Sequence, residues 1–386
     1  MNLIKNTALI LVLILSPLTC FGASATMAVT PAGAGDKSGT AGDGVTLDWD
    51  NAMGYAEWET DAEAFQEAGD IYYVAGGTYT LTSNFTFTAN GATSAPVKVI
   101  GVKSGTTAES PTYSDYAFGD DRPLIAAGSY YFWPNKDYMH TYNIRLTGTG
   151  ATYLIMVESY GFLVNCKSNN TGNGDGMTFY TDRSYIIKCE TQATNDDGID
   201  SVSGYRNHVL YSYIHDCGSN GIEDLNYYSL AIGNVIDTIT ASGITLTSVL
   251  HNVINNTIYN CGTGISGGTS HTGVYINNII DACTTGASWT SSTPIDYWDY
   301  NVWDNTSDTT NVTKGPNAIT GDPGMGSAGS GDFTVGSGSN VLDAGMQIGT
   351  TEGVTGNYKW NVGVDQDDVT AAGGGGGGRR SGWSIQ

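Results

Sequence analysis

The sequence predicts an all-β solenoid, a parallel β-helix of about 22 residues per coil, on three observations. First, a turn-former, a glycine and an apolar residue recur as Asp175-Gly176-Met177, Asp197-Gly198-Ile199, Asn220-Gly221-Ile222, Ser242-Gly243-Ile244, Thr263-Gly264-Ile265 and Thr285-Gly286-Ala287. Successive glycines are 22, 23, 22, 21 and 22 residues apart. Such a period, built of strand-formers and turn residues, marks stacked β coils and not a helical solenoid. Second, 53 Gly, 14% charged residues and abundant Thr, Ser, Asn, Tyr and Val make the 386-residue chain turn-rich, strand-rich and helix-poor. Third, cysteines keep the same beat: Cys166 to Cys189 is 23 residues, Cys217 to Cys261 is 44 and Cys261 to Cys283 is 22. Residues one coil apart stack at about 4.8 Å. The five therefore read as one inward-facing thiol column, packed as small hydrophobes. In an exported protein the pairs Cys166–Cys189 or Cys261–Cys283 could instead oxidise and leave Cys217 odd. No CxxC pair argues for a metal among them.

In chain order, residues 1–25 read as a secretory signal, with Lys5 as the positive start, Thr7 to Leu18 as the apolar core and Ala23-Ser24-Ala25 as the cleavage site. That run is too short to span a bilayer, no later run comes close, and Cys20 lacks the usual lipoprotein box. A secreted, extracellular protein with no membrane span is expected. Residues 26–45 are small and polar, a flexible lead-in. Trp49 to Gly69 carries the one convincing helical pattern, suited to covering the open N-terminal sheet edge of the solenoid. The β-helix is expected over 46–315, starting with Asp70 to Val74, Thr78 to Leu81 and Val97 to Val102. Residues 103–150 read as a long aromatic loop beside the helix, with Tyr130, Tyr131, Phe132, Trp133, Tyr138 and Tyr142. These rings would be packing beneath the loop or a sugar-stacking platform. Regular coils follow from Tyr153 to Asn301, and runs such as Asn255-Asn256 should form hydrogen-bonded ladders. Residues 316–368 read as a C-terminal cap module and 369–386 as a Gly-rich tail ending in Arg379-Arg380-Ser381-Gly382-Trp383. Sequons at Asn84, Asn169, Asn255, Asn305 and Asn311 matter only in a host that glycosylates.

The formal charge is −23, or −24 once the signal, which holds Lys5 and no acid, is removed. Nucleic acid is excluded as a partner, since its phosphates need a basic surface. A polyanion is disfavoured unless a cation bridges it to the protein. The chain is expected to act as a monomer.

Aligned on glycine, the preceding residues are Asp175, Asp197, Asn220, Ser242, Thr263 and Thr285, all turn-formers. Two places after glycine come Thr178, Asp200, Glu223, Thr245 and Ser266, which strand alternation turns outward while Met177, Ile199, Ile222 and Ile244 point inward. Asp200 and Glu223 are then stacked neighbours, with Asp196 and Asp197 beside them and Asp175 one coil away. Carboxylates so crowded repel unless a cation sits among them or some are protonated; their hard oxygens suit Ca²⁺. A solvated column of turn residues is the other reading.

Two resemblances attach to these residues. Asp70 to Leu81 (DIYYVAGGTYTL) with Val97 to Val102 resembles the first coils of secreted right-handed β-helix proteins, polysaccharide lyases among them. The phrases Asp343-Ala344-Gly345 and Asn361-Val362-Gly363-Val364-Asp365 resemble the closing module of such proteins. Asn173-Gly174-Asp175-Gly176-Met177 with Asn195-Asp196-Asp197-Gly198-Ile199-Asp200 resembles polysaccharide lyase family 9, the β-helix pectate lyases. That resemblance implies a catalytic Ca²⁺ held by Asp175, Asp196, Asp197 and Asp200. The family's base is a lysine on the next coil; Glu223 occupies that place after Asn220-Gly221-Ile222. Asn173-Gly174-Asp175 and Asp196-Asp197 also resemble the acid and base aspartates of polygalacturonases, whose later Gly-His-Gly and Arg-x-Lys are absent.

Arg183, seven residues after Gly176, and Arg206, eight after Gly198, should stack at the turn beyond the acidic strand, with His251 and His271 continuing that column. Two of six arginines beside carboxylates suit a uronate carboxylate, or an arginine base. Pairing with a local acid such as Asp182 is the plainer alternative, and Lys167 and Lys188 read as solvating surface. The expected function is Ca²⁺-dependent β-elimination on an acidic, uronate-containing polysaccharide, with Arg206, Arg183 and Glu223 as catalytic candidates. A non-catalytic adhesin, glycan-binding or phage-fibre-like β-helix, and a polygalacturonase-like hydrolase using the same aspartates, are the alternatives.

Overall fold

The computed structural model describes residues 24–345 except 151, 193, 194, 270, 271, 292–295, 338 and 343. Residues 1–23 of the expected secretory signal at 1–25, the later part of the expected C-terminal cap and the expected Gly-rich tail lie outside the described residues.

Short strands joined by short turns wind the chain into a three-faced parallel β-helix. One coil runs Asp175–Phe179 on a first face, Tyr185–Ile187 on a second and Glu190–Gln192 on a third, then returns to the first face with Ile199–Ser201. Neighbouring coils pair parallel and in register, Met177 with Ile199, Tyr185 with His208 and Glu190 with Tyr213. The second face is an 11-stranded sheet; the first and third merge into a 19-stranded one because strands such as Val235–Leu246 continue unbroken round the corner between them. Met177, Phe179, Ile186, Ile199, Ile214 and Ile222 fill the interior, fully or almost fully buried.

The corner between second and third faces is a residue in the left-handed region, at Asn143, Asn165, Lys188, Tyr211, Gly233, Asn255, Asn277 and Tyr300. Asparagine tolerates that conformation and glycine meets no penalty there. The next residue points inward. In later coils these residues form a buried ladder, Asn234, Asn256, Asn278 and Asn301; the first three amides each donate to the next side-chain oxygen at 2.9–3.0 Å and the last to the Tyr275 carbonyl at 2.7 Å.

Cys166 and Cys189 begin this same column, which continues through Ser212, whose hydroxyl accepts from the Cys189 N–H at 3.2 Å. Cys217, Cys261 and Cys283 stand instead at the corner between third and first faces, with Ile239 between the first two. The single thiol column is thus corrected to two. Cys189 and Cys217 are 28 residues apart, one coil plus most of a face. All five are buried, and none forms a disulfide with another.

At the N-terminus, the helix spans Tyr55–Ala64, and its Trp58 is wholly buried. Its ring lies 4.5 Å from Phe85 and 6.0 Å from Tyr79, closing the solenoid end with aromatic surface. The lead-in 26–45 is not loose throughout: Thr26–Val29 pairs with Ile71–Ala75 as the first strand of the second face, burying Met27, Ala28 and Val29. Residues 103–150 are not one loop either. After two 3₁₀ turns they complete a coil with Leu124–Gly128, Phe132–Trp133, Met139–Tyr142 and Arg145–Gly148. Phe132 is core, stacked on Phe85. The helical and aromatic patterns were legible, but alternation in two- to five-residue strands is too short to separate coil from loop. At the other end, the antiparallel pair Met325–Ser327 and Asp332–Val335 folds against the outer third face, with Phe333 5.9 Å from Tyr259. No helix among the described residues is long and apolar enough to cross a membrane.

Candidate active site

The recurrent glycines line the corner where the third face turns into the first. A Cβ on Gly198 would stand 2.7 Å from the Gly221 carbonyl oxygen and 2.9 Å from Cys217 Sγ, and one on Gly221 2.6 Å from the Gly243 carbonyl. Close approach of successive coils, not a positive φ, requires glycine here. The residue before each glycine then caps the backbone of the next coil. Asp175 Oδ1 accepts from the Asp197 N–H at 3.3 Å, Asp197 Oδ1 from Asn220 at 2.6 Å and Asn220 Oδ1 from Ser242 at 3.1 Å. This is the turn ladder of the plainer reading, yet each carboxylate keeps a second oxygen.

Those oxygens gather. Asp175, Asp196 and Asp197 place ligand atoms within 4.8 Å of one another. Asp175 and Asp197 are only 5% and 4% exposed. Ca²⁺ binds oxygen at about 2.3–2.6 Å, so ligands on opposite sides of one ion lie up to about 5 Å apart, and the spacing fits. Asp200 is outside that set of three, though near enough for its charge to act on Asp175 and for Asp197 and Asp196 to act on it. Burial, then the charges of Asp200, Asp197 and Asp196, pushes Asp175 up to about 8. Burial, with Asp197, Asp224 and Asp196, pushes Asp200 up to about 7. Glu223 is pushed well up first by its hydrogen bond to Asp197, then by burial and neighbouring acids; the Asn220 amide donates to it at 3.3 Å. The corner is one of mutually repelling carboxylates held together by the fold.

Of the seven candidate residues, the fold brings Asp175, Asp196, Asp197, Asp200 and Glu223 together. It sends the two arginines elsewhere. Arg183 and Arg206 do stack, in the left-handed turn column Tyr138, Tyr160, Arg183, Arg206, Tyr228 and Leu250. That column stands at the far end of the first-face strands, and its first four side chains, Tyr138 to Arg206, line a cleft on the second face that contains none of the cluster's carboxylates. Arg183 donates to the hydroxyls of Tyr160 and Tyr205. Asp182 does not pair with it, since Asp182 accepts from the Tyr205 N–H at 3.0 Å. His251 is also displaced by one register step: Leu250 holds the turn position and His251 is wholly buried. His271 lies outside the described residues. Lys167 pairs with Glu190 at 2.9 Å on the third face.

Tyr153 is the residue that the glycine alignment missed. It pairs in register with Asp175 on the preceding coil, and burial, Asp175 and Asp200 raise its hydroxyl pKa. Counting 22 residues back from Asp175 would have found it. Asp224, in the left-handed region at φ 52, brings a further carboxylate towards Asp200.

No protein-family model matches the sequence, and no curated protein matches it. Solved structures do. The pectate lyase Pel9A shares 15% identity at a TM-score of 0.54, covering 89% of this chain and 96% of its own. The GH136 lacto-N-biosidase from Eubacterium ramulus shares 10% at 0.50, covering 77% and 67%. The PL6 family polysaccharide lyase Pedsa3628 from Pseudopedobacter saltans shares 12% at 0.41, covering 69% and 90%. At such identities the likeness is one of architecture: the chain has a polysaccharide-lyase-like parallel β-helix fold.

Proposed function

We propose that this protein acts outside the cell and cleaves a uronate-containing polysaccharide by Ca²⁺-dependent β-elimination at the acidic corner. The carrying observation is the convergence of Asp175, Asp196 and Asp197 within 4.8 Å, with Asp200 alongside. These four would hold the ion, an all-oxygen donor set of the kind Ca²⁺ prefers. Bound there, Ca²⁺ would grip the sugar carboxylate and acidify the adjoining C–H. Elimination moves that proton to a base, forms the C=C bond and expels the neighbouring sugar oxygen with its electron pair. Glu223, against Asp197 on the next coil, is the base candidate: pushed up to about 9 among the acids, it would become an acceptor once a cation neutralised them. Tyr153, in register with Asp175 on the neighbouring coil, is the candidate to return a proton to the departing oxygen.

A non-catalytic glycan-binding solenoid is the second reading, favoured by the turning away of Arg183 and Arg206 from the cluster. A hydrolase on Asp175 and Asp197 is the third reading, and it would need the two carboxyls to hold different protonation states. The test is turnover of pectate, alginate and neutral glycans, with Ca²⁺ and with chelator, following ultraviolet absorbance of unsaturated ends together with total reducing ends. Ca²⁺-dependent absorbance lost in Glu223→Gln is expected. Reducing ends without absorbance would replace the lyase by a hydrolase, and silence with Ca²⁺ still bound would leave the binding protein.

A further inference from the structure

We propose a second carbohydrate site, on the second face, that binds a carboxylate-bearing sugar chain through Arg206 and Arg183 without a metal. Two side-chain columns run there along the solenoid axis. One is Tyr138, Tyr160, Arg183 and Arg206; the other, on the outer surface of the sheet, is His140, Phe162, Tyr185 and His208. Ring spacings of 4.6, 4.8 and 4.8 Å down the second column match the coil repeat, so four coils span about 14 Å. Together with Thr93 the columns enclose an open cleft of about 430 Å³, within the size range of ligand sites.

The arginines set the ligand chemistry. In a chain of net charge −23, Arg145 pairs with Asp120 and Arg122 donates to Asn165. Arg183 and Arg206 pair with no carboxylate among the described residues. Their guanidinium faces are occupied: Arg183 sits 5.3 and 5.2 Å from the rings of Tyr160 and Tyr205, and Arg206 5.8 and 5.6 Å from those of Tyr205 and Tyr228. Arg183 spends both terminal nitrogens on the hydroxyls of Tyr160 and Tyr205 and so offers its charge, whereas Arg206, held between rings, keeps its N–H fork for a carboxylate in two parallel bonds. Arg206 is exposed, and its guanidinium makes no hydrogen bond among the described residues. Lys98, in register with His140, adds a third cation at the rim, and His208 brings a buried Nδ1 with no partner into the same wall. A repeating uronate chain lying along the axis would meet Arg183 and Arg206 at successive coils and the aromatic column beside them. The site stands whether or not the acidic corner holds Ca²⁺.

The test is calorimetric titration of the whole mature protein, in excess chelator, with an oligogalacturonate and with the same oligomer reduced to neutral sugars. Binding of the acidic oligomer alone is expected, weakened at least about tenfold in Arg206→Gln. Arg206 is a surface residue, so an unchanged melting temperature shows that the variant folds. Asp197→Ala should leave this binding intact while removing Ca²⁺-dependent turnover, which separates the two sites. Equal binding of the neutral oligomer, no binding by the native protein, or unchanged affinity in folded Arg206→Gln would overturn the proposal.

Discussion

The ladder Asn234, Asn256, Asn278, Asn301 and the corner Asp175, Asp197, Asn220 are both stacks of short polar side chains one coil apart. Each side chain in them accepts from a backbone N–H one coil away, on the preceding coil in the asparagine ladder and on the following coil at the acidic corner. They differ in what the remaining atoms can do. An amide carries donors as well as an acceptor: Asn256 also donates to the Ala231 carbonyl and to Asn278 Oδ1. That column is neutral, buried and closed on itself. A carboxylate only accepts, so stacking Asp175 on Asp197 beside Asp196 leaves oxygens facing oxygens. One column is satisfied by its own repeat. The other needs a proton or a cation from outside, and this is why the acidic corner is read as the site and the longer ladder as framework.

Exchanging the two chemistries breaks this comparison most sharply. Asn256→Asp removes two donors from a buried column and should cost about 3 kcal/mol or more, read as a lowered urea midpoint; a loss below about 1 kcal/mol would show that the ladder is not held by its donors. The reverse exchange, Asp197→Asn, keeps the acceptor for Asn220 but removes charge. It should weaken Ca²⁺ about 100-fold and raise the melting temperature in chelator, and an unaltered calcium isotherm would remove Asp197 from the ligand set. Gly198→Ala presses a methyl against the Gly221 carbonyl at 2.7 Å and should cost about 2 kcal/mol, with denaturant unfolding as the measure.

The comparison also has a pH dependence. Asp175 and Asp200, pushed up to about 8 and about 7, keep protons in the folded chain that the unfolded chain releases near pH 4. The stability they contribute is therefore full below about pH 4 and lost as pH rises through about 7 to 8. In chelator the melting temperature should fall across that window, and saturating Ca²⁺ should flatten the fall. A flat profile in both conditions would mean that the carboxylates do not crowd one another.

Much of the corner was legible because the period and the strand pitch leave little freedom. Residues 22 or 23 apart must stack at about 4.8 Å, so Asp175, Asp197 and Asn220 had to be neighbours. Asp196 and Asp200 followed from sitting beside Asp197 in sequence. Tyr153 obeyed the same rule one coil earlier. What spacing could not convey is direction around the coil. Arg183 and Arg206 do stack on one another, as their offsets from glycine require. Their left-handed turn, φ 59 and 63, swings both side chains towards the second face and away from the acids.

The cysteines show the same limit. Intervals of 22, 23 and 44 describe stacking within a corner, whereas the 28 from Cys189 to Cys217 moves from one corner to another. The sequence by itself determined the solenoid, its coil length and which residues share a column, because parallel strands at fixed pitch turn a repeat in residues into a repeat in space. Only the tertiary structure decided which face each column meets. That depends on a single left-handed residue per corner and on strands of three to five residues, whose burial is set by the coils above and below.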